Sequence, residues 1–125
     1  MHAAPELKVH VTRHQDIFVI TVRGELDFDD AEDIDAAWEQ AERAALPTTA
    51  VDLSQVTFAD SMLLNGLLEA RRRHAADGRE LVLLGPLRPA VSRLLEVSGT
   101  LAYFTVAVAG TGTGAVSPGG DQGAS

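Results

Sequence analysis

The chain has 125 residues, of which 46% are hydrophobic, so it is long enough for one compact domain with its own core and too short for two. Its formal net charge of −8 argues against a nucleic-acid binder, because phosphate backbones repel acidic surfaces, and favours a protein or a small molecule as the partner. The chain has no cysteine and no stretch typical of a secretory signal or a membrane span, so we expect a soluble cytoplasmic protein without disulfides, thiolate metal sites or membrane contacts.

The first two apolar stretches predict a β-hairpin. ELKVHVTR (6–13) and IFVITVRG (17–24) alternate or are rich in β-branched residues, and the polar residues 14–16 connect them. An apolar edge of this hairpin could pair two subunits, which leaves a homodimer open.

The next segment, ELDFDDAEDIDAAWEQAERAAL (25–46), predicts an amphipathic helix that ends before Pro47. Its apolar side chains recur at spacings of three and four and include the only tryptophan: Ala31, Ile34, Trp38, Ala41 and Ala45. We interpret Trp38 as a core residue and not as a ligand platform. Four carboxylates occupy the first turns: Asp29, Asp30, Glu32 and Asp33. The positive end of the helix favours carboxylates there, so a solvated helix start explains them without a binding role.

Two short apolar runs, TAVDLS (49–54) and RELVLLG (79–85), predict buried strands on either side of a second helix at 61–76. We expect that helix to bury one side and to end at Asp77-Gly78. The side predicted to face the core consists of Leu64, Leu67, Leu68, Arg71 and Ala75. The opposite side consists of Met62, Gly66, Glu69 and Arg73.

The remaining apolar segments predict a third helix and a last strand. LRPAVSRLLEVSG (87–99) places Val91, Leu94, Leu95 and Val97 on the helix, and LAYFTVAV (101–108) follows as the strand. The order β-β-α-β-α-β-α-β predicts an α/β domain with a mixed sheet of four to five strands and helices packed on it.

The last 17 residues, AGTGTGAVSPGGDQGAS (109–125), predict a disordered tail after a folded domain at 1–108. They are rich in glycine and serine and offer little apolar surface to bury. GTGTG is not expected to bind phosphate, because no helix follows it.

Asp60 and Ser61 lie where an apolar stretch turns into the second helix. Either side chain could accept hydrogen bonds from the first helical turn as an N-cap, a contribution of about 1 kcal/mol. A cap needs only one of them, so the other could be exposed and open to modification. The residues alone leave the cap and the modification site as alternatives.

The histidines are scattered and predict no metal site: His2, His10, His14 and His74. A Ser-His-Asp hydrolase built on Asp60 and Ser61 is disfavoured as well, because neighbours in sequence do not form triad geometry and no nucleophile elbow is present. We therefore expect neither an enzyme nor a cofactor.

Three segments together resemble the anti-sigma factor antagonists, which are STAS-domain proteins of bacterial partner switching. They are GELDFDDAEDI (24–34), VDLSQVTFADSMLLNGLL (51–68) and LVLLGPLRPAVSRLLEVSGTLAYFTV (81–106). The most specific match is the run D-L-S-x-V-x-F-x-D-S, which ends at Asp60 and Ser61, and G-E-L-D is a second match.

The resemblance implies a STAS fold and a serine that an anti-sigma factor kinase phosphorylates. In that scheme the unphosphorylated antagonist binds the anti-sigma factor and frees a sigma factor, and a serine phosphatase restores it. The modified serine corresponds to Ser61, and the acidic positions near it correspond to Asp60 and Asp27.

One departure from the family concerns the residues after the phosphorylated serine. The family commonly reads D-S-S-G-L-G, whereas this chain has Met62, Leu63 and Asn65 at the corresponding positions. An alternative is therefore a STAS scaffold or small-ligand sensor whose serine is not modified.

For the antagonist, we expect the partner to dock on Met62, Gly66, Glu69 and Arg73, and Met62→Asp to abolish binding with little loss of stability. A half-buried Met62 at the helix end is the competing interpretation.

Overall fold

The computed structural model describes residues 8–108, which form a five-stranded sheet in the order β1-β2-β3-β4-β5. The strands are β1 Val9–His14, β2 Ile17–Glu25, β3 Thr48–Phe58, β4 Glu80–Gly85 and β5 Thr105–Val108. The helices are α1 Ala31–Ala44, α2 Ser61–Ala76 and α3 Pro89–Val97, and short 3₁₀ turns form at Phe28–Asp30 and Leu101–Tyr103. The predicted order of elements and the mixed sheet are confirmed. Residues 109–125, where the disordered tail was predicted, and His2 lie outside the described residues.

The sheet is mixed because a hairpin precedes three helical crossovers. β1 pairs with β2 in antiparallel orientation, as the polar turn at 14–16 predicts, and β1 forms an edge of the sheet. The pairs β2 with β3, β3 with β4 and β4 with β5 are parallel. The carboxyl ends of β2 and β3 therefore lie at the same end of the sheet. Ligands of parallel sheets usually bind outside the carboxyl ends of the strands.

One continuous core lies between the sheet and the helices. Val51, Leu53 and Leu83 of the central strands are fully buried, and Leu63, Leu67 and Leu95 from α2 and α3 pack in the same cluster. Full burial of side chains of this size contributes about 1.5–3 kcal/mol each.

The predicted inner side of α2 is partly wrong. The helix buries five residues: Leu63, Leu64, Leu67, Ala70 and His74. Arg71 and Ala75, which were expected on that side, are exposed, and Leu68 is half-buried. The interior accepts His74 because both ring nitrogens are paired, Nδ1 with the Ala70 carbonyl (2.8 Å) and Nε2 with Thr49 Oγ1 (2.7 Å).

Two smaller expectations also need correction. α1 ends at Ala44, because Ala45 adopts a left-handed conformation (φ 51°) and is exposed. Leu101–Tyr103 forms a 3₁₀ turn, and Phe104 after it is buried, so the last strand starts only at Thr105.

Candidate functional site

The candidate site lies at the edge of the sheet where β2 and β3 end. The backbone N–H of Leu26 donates to the carbonyl of Phe58 (2.9 Å), which holds the segments after the two strands together. The turn at 26–30 is thereby placed beside the start of α2.

Asp60 is the N-cap of α2. Its backbone is extended (φ −117°, ψ −167°), and its Oδ1 accepts a hydrogen bond from the N–H of Met62 (2.9 Å). The sequence left open whether Asp60 or Ser61 caps α2, and this geometry assigns the cap to Asp60. One side-chain acceptor is enough for the first turn.

Ser61 is the first residue of α2 and is exposed. Within residues 8–108, the cap of this helix is formed by Asp60, so the Ser61 hydroxyl is not needed for it. An exposed hydroxyl at the positive end of a helix is well placed for a group that brings negative charge.

Asp27 begins the 3₁₀ turn before α1. Its Oδ1 accepts from the N–H of Asp29 (3.0 Å), while its own N–H donates to Asp30 Oδ2 (2.9 Å), so the two carboxylates form a reciprocal capping box. The acidic position of the G-E-L-D segment thus organises the turn that faces the start of α2.

The capping box also involves Lys8, whose Nζ lies 3.3 Å from Asp30 Oδ2. Desolvation works against the charge of the Asp30 carboxyl, but the hydrogen bond from the Asp27 backbone and the Lys8 ammonium outweigh it. The pKa of Asp30 is therefore lowered from its ordinary value.

Met62 is half-buried and packs against the core cluster. Of its two interpretations, the structure favours the partly buried residue at the helix end, although Met62 also lines a surface groove beside Ser61. Met62→Asp is therefore expected to affect the core as well as this surface.

Gly66 lies in the same groove, one turn further along α2, under the side chain of Trp38. A Cβ at position 66 would come within 3.0 Å of Trp38 Nε1. The small residue thus accommodates an aromatic ring of the same chain, and Trp38 is half-buried at the edge of the core.

Glu69 and Arg73 form part of an ion-pair cluster on the exposed side of α2. Glu69 Oε2 accepts from Arg72 Nη2 (2.6 Å) and from Arg73 Nε (3.0 Å). The hydrogen bonds from Arg72 and Arg73 lower the pKa of Glu69. Such exposed pairs contribute little to stability, so these charges are available to a partner.

Two exposed aromatic side chains flank this site and were not singled out from the sequence. Phe28, in the turn before α1, is 83% exposed, and Phe58, at the end of β3, is 52% exposed. Phe28 lines the same groove as Ser61 and Met62. The available signal was an apolar residue among carboxylates in the segment D-F-D-D.

Neither a cluster of metal ligands nor a pairing of Ser61 with His74 occurs among residues 8–108. Among residues 8–108, no three potential ligands of the His, Cys, Asp and Glu types cluster. His74 lies 13 positions after Ser61 on α2, which corresponds to about 20 Å along a helix and is too far for a triad. In the same part of the chain, no helix has the length and apolar character that crossing a bilayer requires.

Comparisons with known proteins give one family and several related folds. Residues 9–101 match the family model described as "Mlab, STAS domain". The unphosphorylated form of the anti-sigma factor antagonist SpoIIAA is 24% identical, with a TM-score of 0.69 over 81% of this chain and 89% of that one. The phosphorylated form of SpoIIAA from Bacillus is also 24% identical, with a TM-score of 0.64 over 81% and 92% of the two chains.

An anti-sigma factor antagonist from Mycobacterium paratuberculosis is 25% identical, with a TM-score of 0.68 over 79% of this chain and 83% of that one. Because the SpoIIAA structures are 24% identical to this chain, their similarity establishes its fold and not its function.

Proposed function

Because this chain belongs to the STAS domain family, as residues 9–101 show, we propose that it is an anti-sigma factor antagonist switched by phosphorylation of Ser61. In the unphosphorylated form it binds an anti-sigma factor that is also a serine kinase, and a sigma factor is released. Phosphorylation of Ser61 ends that binding, and a serine phosphatase reverses it. The protein acts in the cytoplasm by binding and not by catalysis.

One observation carries the proposal: Asp60 caps α2 and leaves the neighbouring Ser61 exposed at the first helical position. A kinase must reach the hydroxyl, and the domain must tolerate the product. A phosphate brings about −1.5 to −2 charges at pH 7, which the amides and dipole of a helix N-terminus accommodate. The domain can thus stay folded in both states, while the surface offered to the partner changes.

The proposed docking face surrounds Ser61 on α2 and continues onto the turn before α1. It comprises Met62, Gly66, Glu69 and Arg73, as the sequence predicts, and we add Phe28. Phe28 is exposed beside the modified position, and phenylalanine is among the residues enriched in protein interfaces.

The proposal is tested by incubation of the protein with ATP and the cognate anti-sigma factor, followed by intact mass measurement. We expect one added phosphate in the wild type and none in Ser61→Ala. In a pull-down, Ser61→Asp should lose the anti-sigma factor, whereas Ser61→Ala should retain it. Equal retention of both variants would contradict the switch.

The second candidate is a STAS scaffold or small-ligand sensor without phosphorylation. It is favoured by Met62, Leu63 and Asn65 after the serine, which depart from the run common in the family. Absence of any phosphate after incubation with each anti-sigma kinase of the source organism would favour this candidate.

A further inference from the structure

A surface groove separates α1 from α2 and extends from Ser61 toward the middle of α2. It consists of two cavities of about 540 and 300 Å³, and both are lined by Asp35, Trp38 and Gly66. Each volume lies near or within the range of about 300–1,000 Å³ that is typical of binding pockets. The groove is therefore large enough for several side chains of a bound segment.

The aromatic wall of the groove carries a polar group without a partner. Trp38 Nε1 is buried against Gly66 and forms no hydrogen bond within residues 8–108. Buried N–H groups are nearly always paired, because an unpaired donor forfeits its hydration. An acceptor that reached this N–H from the groove, such as a peptide carbonyl, would supply the missing partner.

The charge along the groove is negative and only partly balanced. Glu42 is paired with Arg79 (2.9 Å), and Glu69 is paired with arginines of its own helix. Asp35 and Glu39, one turn apart on α1, are exposed and form no ion pair with any described residue. Both carboxylates line the groove together with Trp38, so a cation placed against the indole there would meet two opposite charges and an aromatic face.

We propose that the groove binds a basic segment of a partner protein. An arginine or lysine of that segment lies against Trp38 in the part of the groove that Asp35 and Glu39 line, and a backbone carbonyl accepts the Trp38 N–H. A peptide supplies both groups from one molecule, which neither a simple amine nor a carboxylate does. The inference rests on the proposed function only for the identity of the protein that supplies the segment.

Trp38 is the only tryptophan of the chain, so its fluorescence reports binding in the groove. An arginine-rich peptide with blocked termini is titrated into the full-length protein while tryptophan emission is followed. We expect a saturable change of emission. The matched control is the same peptide with every arginine replaced by citrulline, which keeps the shape and removes the charge. Equal binding of the citrulline peptide, or no change of emission with either peptide, would overturn the proposal.

A pair of double variants separates the groove from general attraction to an acidic protein. Asp35→Asn with Glu39→Gln changes the net charge from −8 to −6, and so does Asp16→Asn with Glu96→Gln at exposed positions outside the groove. We expect the first pair of substitutions to lower the affinity for the peptide about tenfold and the second pair to lower it much less. Equal weakening by both pairs would contradict a specific site.

Failure of the proposed function can be distinguished from failure of this inference. Ser61→Ala cannot be phosphorylated at this position but should bind the arginine-rich peptide like the wild type. Absence of phosphorylation therefore leaves the groove unaffected, and absence of peptide binding leaves the switch unaffected. A strong decrease of peptide affinity in Ser61→Ala would count against the groove, because the proposed contacts do not include that hydroxyl.

Discussion

Replacing Asp60 by Ala should lower the free energy of unfolding by about 1 kcal/mol, whereas Ser61→Ala should change it by less than about 0.5 kcal/mol. The difference follows from one hydrogen bond. Asp60 Oδ1 accepts from the N–H of Met62 at 2.9 Å, and removal of that acceptor leaves the first turn of α2 without its cap. The exposed Ser61 hydroxyl has no such role.

Asp60→Asn should give an intermediate value. Asparagine keeps a side-chain oxygen that can accept from Met62, so the cap is retained. It removes the negative charge at the positive end of α2, which contributes about 0.3–1 kcal/mol at an exposed position. The expected order of destabilisation is therefore Asp60→Ala, then Asp60→Asn, then Ser61→Ala. In a domain of about 100 residues, the loss in Asp60→Ala corresponds to a decrease in Tm of about 4 °C.

Urea unfolding followed by circular dichroism measures these differences, with Asn65→Ala as the control. Asn65 is exposed on the same helix and does not cap it, so this variant reports the effect of alanine alone. The reasoning would be refuted if Ser61→Ala destabilised the domain by about 1 kcal/mol while Asp60→Ala did not. Ser61 would then be the cap, and its hydroxyl would not be free for modification.

Three further changes test the core, the docking face and the capping box. Thr49→Val removes the hydroxyl that pairs with the buried His74, so we expect urea unfolding to report a loss of about 1–3 kcal/mol, and an unchanged value would contradict that bond. Phe28→Ala should leave stability within about 0.5 kcal/mol, since the ring is 83% exposed, and should weaken binding of the proposed anti-sigma factor at least about tenfold by calorimetry. Loss of stability without loss of affinity would place Phe28 in the fold instead. Asp30→Asn should destabilise the domain at pH 7, because the folded state lowers the pKa of Asp30 and so gains stability above the unfolded value of about 3.9. That difference should shrink as the pH falls below about 4 through the folded pKa, and a difference that is equal at pH 7 and pH 3 would exclude a charge effect.

The element order could be predicted because each element has its own periodicity. Period two marks the hairpin, and short apolar runs mark the buried strands of a parallel sheet. The inner side of α2 could not be assigned in the same way. Its apolar residues at 63, 64, 67 and 68 fit two neighbouring helical faces, and the choice depends on whether position 71 or position 74 is buried. His74 is buried because Thr49, 25 positions away, pairs with its ring, a contact that no local pattern indicates.

The sequence predicted only part of the candidate site, because the rest depends on backbone geometry and tertiary contacts. The motif located Asp60 and Ser61 at a helix start, but which of them caps α2 depends on the backbone angles of Asp60 and on the position of its Oδ1. The aromatic residues at the groove depend on tertiary packing. Trp38 lies on the apolar stripe of α1 as expected, yet it is only half-buried, because it rests on Gly66 of a neighbouring helix and faces the groove as well as the core.

A phosphate on Ser61 cannot release a basic partner through long-range charge. The chain already carries −8, and two more negative charges would increase its attraction for a positively charged surface. Repulsion between the phosphate and Asp60 also exists in the free protein, so by itself it does not disfavour the complex. The free protein and the complex differ in the hydration of the phosphate. A partner that covers Ser61 must remove water from this dianion, at a cost of several kcal/mol unless the partner offers paired donors. That cost exceeds the gain of about 1 kcal/mol or less from each exposed ion pair along the groove. The proposed switch therefore requires a dry contact at Ser61 itself, and the half-buried Met62 and the exposed Phe28 are apolar side chains that line the groove beside it.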